Sequence, residues 1–169
     1  FFARAIDTQS KQLQDVCMHM AAHDGAAVVE VLQNCVIFND GTHKEVTDKE
    51  VRDDRQLWLE HGKPMIFGKN KDKGIVLRGT KLEVVTIGEN GITEKDILVH
   101  DETTENTGIH MMLAQMRPPE FPMAFGVIRA YKQPTYNQLF EKQMQEAQEN
   151  AKIKCVDDLL NSGETWEVK

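Results

Sequence analysis

The chain has 169 residues, 40% hydrophobic and 28% charged, with a formal net charge of −7 from 27 acidic and 20 basic side chains. That length suits one ordinary domain or two small ones. The acidic balance excludes an extended nucleic-acid or anionic-membrane surface, since both need concentrated Lys and Arg.

No window reaches the apolar run of about 20 residues that spans a bilayer. Cys17, Cys35 and Cys155 are odd in number and widely spaced, which points to a reducing, cytoplasmic setting and not to a disulfide framework. The start, Phe1-Phe2-Ala3-Arg4-Ala5-Ile6-Asp7, lacks the basic opening and apolar stretch of a signal peptide. It reads as the end of a buried strand, so the expectation is a carboxyl-terminal piece of a longer chain.

A helix follows, capped by Thr8 or Ser10, with Leu13, Val16, Cys17 and Met20 spaced for one buried face. Cys17 is therefore expected in the core. His19 and His23 stand four apart, a spacing that can hold a metal. No third ligand accompanies them, and His23 in the last turn before Gly25 suits the helix dipole without one. Ala26–Leu32 then reads as a second buried, central strand, which completes a βαβ unit of a parallel sheet. Cys35 falls just past its carboxyl end, where cofactors gather in α/β proteins. The plain alternative is a packed, inert thiol.

Asn39-Asp40-Gly41-Thr42 is turn chemistry. A helix is expected from Thr47 to about His61, with Val51, Arg55 and Trp58 on one face and Gly62 as the stop. Asp53 and Asp54 point to different sides of such a helix and so do not make a metal pair. Short strands follow at Met65-Ile66-Phe67, Gly74–Leu77 and Leu82–Ile87, with Gly79-Thr80 as the hairpin turn. Lys69, Lys71 and Lys73 form either a solvated loop or a rim for an anionic partner. Gly88–Gly91 is a turn, and Ile92–Asp96 a short turn leading to Ile97–Asp101. His100-Asp101 invites an acid–base reading, although such pairs are made in space and not by adjacency.

Asn106–Met116 is a short helix whose Met111, Met112 and Met116 suit core or subunit contact. Pro118-Pro119 ends it, and Pro122–Ala130 is a further strand. Thr135 and Gln138 form a capping-box pattern for a helix expected to reach about Lys154. The polar tail from Cys155 to Lys169, with Trp166 near its end, should dock on a neighbour or be loosely ordered.

Taken together, several stretches resemble the β subunit of the 2-oxoacid:ferredoxin oxidoreductases, most closely the bacterial 2-oxoglutarate type. They are Phe2-Ala3-Arg4-Ala5, Glu30-Val31-Leu32 through Cys35-Val36 to Phe38-Asn39, Gly62–Lys69, Asp72–Ile75, Gly88–Glu94, Leu98–Asp101, Gly126–Arg129 and Pro134-Thr135-Tyr136. They run in order over nearly the whole chain. The resemblance implies an α/β fold. Residues 1–40 would be the last strand-helix-strand of a thiamine diphosphate-binding parallel sheet domain, and residues 41–169 a mixed carboxyl-terminal extension of short strands and helices.

It also implies thiamine diphosphate with Mg2+, a 4Fe-4S cluster, an α subunit partner, and reaction of 2-oxoglutarate or a related 2-oxoacid with coenzyme A and ferredoxin. One of the four cluster cysteines of that family maps onto Cys35. The family usually has Ser-Pro before this cysteine, where the chain has Gln33-Asn34, and often Thr two after it, where the chain has Ile37. Both changes bear on hydrogen bonding to the cluster and so on its potential. The other three cluster cysteines and the Gly-Asp-Gly…Asn diphosphate motif are absent from these residues, so the piece alone is expected to be inactive. No catalytic residue is assigned within it.

A second hypothesis makes the chain a non-catalytic docking module for a partner subunit, supported by the Met-rich helix, the polar carboxyl-terminal helix and Trp166. A third, a zinc or thiol enzyme using Cys35 with His43 or His100, lacks the ligand spacing such sites need.

Overall fold

The computed structural model describes residues 1–164, Trp166 and Val168. Its contacts divide the chain into two units, Phe1–Lys132 and Gln133–Lys169.

The first unit is α/β. Strand β1 (Phe2–Ile6) is buried on both faces, with Ala3, Ala5 and Ile6 almost fully enclosed. Helix α1 (Ser10–Ala21) carries the chain to β2 (Val28–Leu32), which pairs parallel with β1 from Phe2↔Val28 to Ile6↔Leu32. The expected βαβ unit is therefore present. Two details differ. The cap is Gln9, without a side-chain bond. Of the expected stripe only Val16 is buried, packed on Ala3 and Val127, and Cys17 is exposed. The helix meets the sheet along a narrow line, too narrow to cover the cysteine.

The expected helix from Thr47 to His61 gives way to three short elements: α2 (Lys44–Thr47), α3 (Arg52–Arg55) and β3 (Gln56–Leu59). Gln56, Leu57 and Leu59 are buried because β3 pairs parallel with β7 (Met123–Arg129), in register from Gln56↔Met123 to Leu59↔Gly126. Pairing with a buried strand outweighs the helical tendency of the charged residues before it. Strand β7 also pairs antiparallel with β1, giving a mixed sheet in the order β2-β1-β7-β3. Strand β2 is thus an edge strand with Val28 and Val31 exposed, not the central strand its apolar sequence suggested.

A second, antiparallel sheet holds β4 (Ile66–Phe67), β5 (Lys73–Arg78) and β6 (Lys81–Thr86). The expected turn sits between Arg78 and Lys81, with Gly79 at φ +62°. That is the left-handed conformation a two-residue hairpin asks of glycine. Helix α4 (Thr107–Gln115) is capped by Asn106, whose side chain accepts from the Gly108 amide. Of its methionines Met116 is buried in the main core, Met112 packs on the edge of that core, and Met111 is exposed.

In the second unit α5 (Tyr136–Asn150) has the expected capping box, with reciprocal bonds between Thr135 and Gln138. It stops at Asn150, short of Lys154. Cys155 then caps α6 (Val156–Leu160), where a polar tail was expected. Trp166 is exposed, while the part of the tail expectation that concerns Thr165, Glu167 and Lys169 lies outside the described residues.

The closest backbone approach in the sheet is at Gly126, with φ +90°. A Cβ there would stand 2.8 Å from the Leu59 carbonyl oxygen. Strain of that kind costs about 1–3 kcal/mol before any clash is counted. Gly126→Ala should therefore lower the free energy of unfolding in urea by about 1–3 kcal/mol or more, seen as a lower midpoint. An unchanged midpoint would contradict the β3–β7 register.

Candidate metal-ligand turn at Cys35

Leu32, the last residue of β2, is buried and anchors the start of the turn. The chain then leaves the sheet and folds back on itself. Cys35 and Asn39 form an isolated antiparallel bridge, and the Asn39 amide donates to the Cys35 carbonyl at 2.9 Å. Within this loop the backbone amides of Phe38, Ile37 and Asn39 lie near the Cys35 sulfur. These donors hold the thiol below its ordinary pKa, Phe38 contributing most, against a smaller opposing effect of burial. Cys35 itself is half-buried.

Backbone amides aimed at sulfur stabilise the thiolate, the form in which cysteine binds metal. The side chains between Cys35 and Asn39 turn outward: Val36, Ile37 and Phe38 are 74%, 83% and 89% exposed. Three consecutive apolar residues on a crest are unlike scattered surface hydrophobics and mark a contact surface. A cleft of about 190 Å³ opens beside the turn, lined among others by Asp7, Leu32, Asn34, His43 and Lys44.

The other sulfur and imidazole candidates lie apart from this turn. Cys17 is on the exposed face of α1, and the Cys155 sulfur accepts from the Asp158 amide at 3.4 Å. Among the described residues no group of three His, Cys, Asp or Glu side chains is placed to hold a metal. His43 sits at the amino end of α2.

His100 and Asp101 have separate partners. The buried His100 ring donates from Nε2 to the Val127 carbonyl at 2.8 Å, which leaves Nδ1 buried without a partner. The Asp101 carboxylate accepts from the amide and hydroxyl of Thr103 at 2.9 and 2.7 Å, and these bonds lower its pKa. His110 donates to the Asp101 carbonyl and accepts from Arg129, at 2.8 and 2.9 Å. This network joins the loop before α4 to β7. It is structural and not an acid–base pair.

Lys73 of the lysine run is paired with Asp54 at 2.8 Å, a bond that lowers the Asp54 pKa, while Lys69 and Lys71 are exposed. A cleft of about 660 Å³, of which the sequence carries no sign, is walled by Asp15 and His19 of α1, Trp58 and His61 beside β3, and Gly126 of β7. Its walls come from three elements far apart in sequence.

Over 99% of its length the chain is 32% identical to the 2-oxoglutarate oxidoreductase subunit KorB of Mycobacterium tuberculosis, and it spans about 45% of that protein's length. No protein-family model matches the chain. No solved structure matches it either.

Burial lowers the pKa of His100 below the ordinary histidine value, outweighing the bond to Val127, which acts the other way. The unfolded chain then takes up the proton first. Stability is full above the unfolded-state value and is lost as pH falls from about 6.5 through the lowered native value. Between pH 7.5 and 5.5 the urea midpoint should fall, and the fall should be smaller in His100→Gln. Some slope should remain, because the His23 pKa is lowered too, chiefly by burial. Equal slopes in the two proteins would remove His100 from this account.

The β-subunit resemblance read from the motifs is borne out by the likeness to KorB, which runs along nearly the whole of this chain and about 45% of that protein.

Proposed function

We propose that the chain is part of the β subunit of a 2-oxoacid:ferredoxin oxidoreductase that uses thiamine diphosphate, Mg2+ and a 4Fe-4S cluster. In this reading the enzyme is cytoplasmic and works with an α subunit. It converts 2-oxoglutarate or a related 2-oxoacid to its acyl-coenzyme A and reduces ferredoxin. Residues 1–40 close the thiamine diphosphate-binding domain and residues 41–169 extend it. The likeness to KorB supports the oxidoreductase class and the 2-oxoacid. The observation that carries the cofactor assignment is the place of Cys35 just past the end of β2, in a turn closed by its bridge to Asn39.

When bound, thiamine diphosphate supplies the carbon chemistry of decarboxylation and the cluster supplies one-electron transfer. Cys35 fits the cluster as one of four thiolates. The Val36-Ile37-Phe38 crest keeps water from that sulfur once covered. Among the described residues none is assigned to thiamine diphosphate or its metal. In the enzyme assembled without oxygen, Cys35→Ala should reduce iron from about four per β subunit to well below that, with loss of ferredoxin reduction. Normal iron and activity would sink the assignment.

A docking role is favoured by a separate observation. Tyr136, Leu139, Phe140 and Met144 line one exposed side of α5, and no described residue of Gln133–Lys169 is buried. A lone helix of this length is marginal in water, so it gains by lying in a partner's groove. Removing residues 133–169 should weaken association with the companion subunit in size-exclusion chromatography, with the circular dichroism of the remaining unit preserved. Undiminished association would count against docking.

A further inference from the structure

Strand β2 has the composition of an interior strand and the position of an edge. Its pairing with β1 decides which of its backbone groups face outward. The Val28 amide donates to the Phe1 carbonyl at 3.0 Å, and the Leu32 carbonyl accepts from the Asp7 amide at 3.2 Å. Alternate residues of a parallel ladder turn their amide and carbonyl to the same side, so Val28, Glu30 and Leu32 face β1. Val29 and Val31 turn theirs the other way, and among the described residues these groups have no backbone partner.

The side chains tell the same story. Val28 and Val31, on opposite faces of the strand, are 60% and 42% exposed. On the other edge strand, β3, Gln56, Leu57 and Leu59 are buried. Edges that face water are protected by lysine, proline, a bulge or an inward-pointing charge. Strand β2 has no lysine or proline and runs in unbroken register with β1, and its one charge, Glu30, is held by Arg4. More than half of the length of KorB has no counterpart in this chain, which is room for further strands.

We propose that the outer edge of β2 is an interface, where an apolar strand from elsewhere in the same β subunit pairs along Val29 and Val31. The inference rests on reading the chain as part of that longer subunit, and it names the place where the remainder joins. The incoming strand is apolar on both faces, because it covers Val28 on one side of the sheet and Val31 on the other. A separate partner would have to expose such a strand before assembly, which invites aggregation, whereas a strand of the same chain does not. Between two neighbours β2 becomes the interior strand that its β-branched residues suit.

In the assembled enzyme the Val29 and Val31 amides should exchange with deuterium within about tenfold of the Glu30 amide, a margin of roughly one hydrogen bond. A photoreactive leucine analogue in place of Val31 should cross-link to a peptide of the same β chain outside these 169 residues. Val31→Pro removes the outward amide and leaves the ladder to β1 intact. It should lower the yield of folded subunit several-fold more than Val31→Ala, since proline is tolerated in a strand where its missing N–H would face solvent.

Exchange at Val29 and Val31 as fast as at exposed amides overturns the proposal. So does a cross-link to the companion subunit or to a second copy, or an equal yield of the two variants. Iron in the unsubstituted enzyme is read separately. A cluster with an open edge removes this inference alone, and a paired edge without a cluster removes the cofactor reading alone.

Discussion

The buried guanidinium of Arg4 is the contact on which the first unit depends. It sits in the middle of β1, 3% exposed, and reaches three other elements at once. Nε donates to the Glu30 carboxylate of β2 at 2.6 Å, Nη1 to the Ala124 carbonyl of β7 at 3.2 Å, and Nη2 to the Ala114 carbonyl in the last turn of α4 at 3.1 Å. A cation at a helix carboxyl end also meets the negative pole of the helix dipole. Taking such a charge out of water is costly. Here the backbone carbonyls of Ala114 and Ala124 and the Glu30 carboxylate, itself 45% exposed, offset that cost. Its role is to fix register: Arg4 stands opposite Glu30 and Gly126, so the carboxyl end of β2 leaves the sheet at a set height. The position of the Cys35 turn follows from that.

The edge position of β2 gives the turn its character. A central strand would have its carboxyl end walled by neighbours on both sides, whereas β2 has β1 on one side only. The Cys35 loop is consequently held by its own backbone, by Leu32 beneath it and by Asn34, and it presents Val36, Ile37 and Phe38 outward.

Much of this architecture was legible in the sequence. The strand-helix-strand at the start has clear periodicity, the hairpin turn at Gly79-Thr80 has the right chemistry, and Thr135 with Gln138 announces α5. Strand β3 was not legible, because four residues are too few for a period to show and the charged residues before them suit a helix. Cys17 misled because a helical stripe says which residues share a face, not how much of that face the sheet covers. The site divides the same way. A motif and its place after a strand single out Cys35, but the amides at its sulfur depend on how three successive peptide planes turn. The bonds of Asn34 to Asp40 and to the Gly41 amide are likewise invisible until those residues are folded back beside it.

The central claim is that the Cys35 sulfur binds iron, and Cys35→Ser tests it most directly by exchanging one donor atom at the same place. Iron X-ray absorption of the assembled enzyme, purified without oxygen, should show an oxygen at about 2 Å in place of one sulfur on a retained cluster. A spectrum identical to that of the unsubstituted enzyme, with all iron still bound by sulfur, would contradict it.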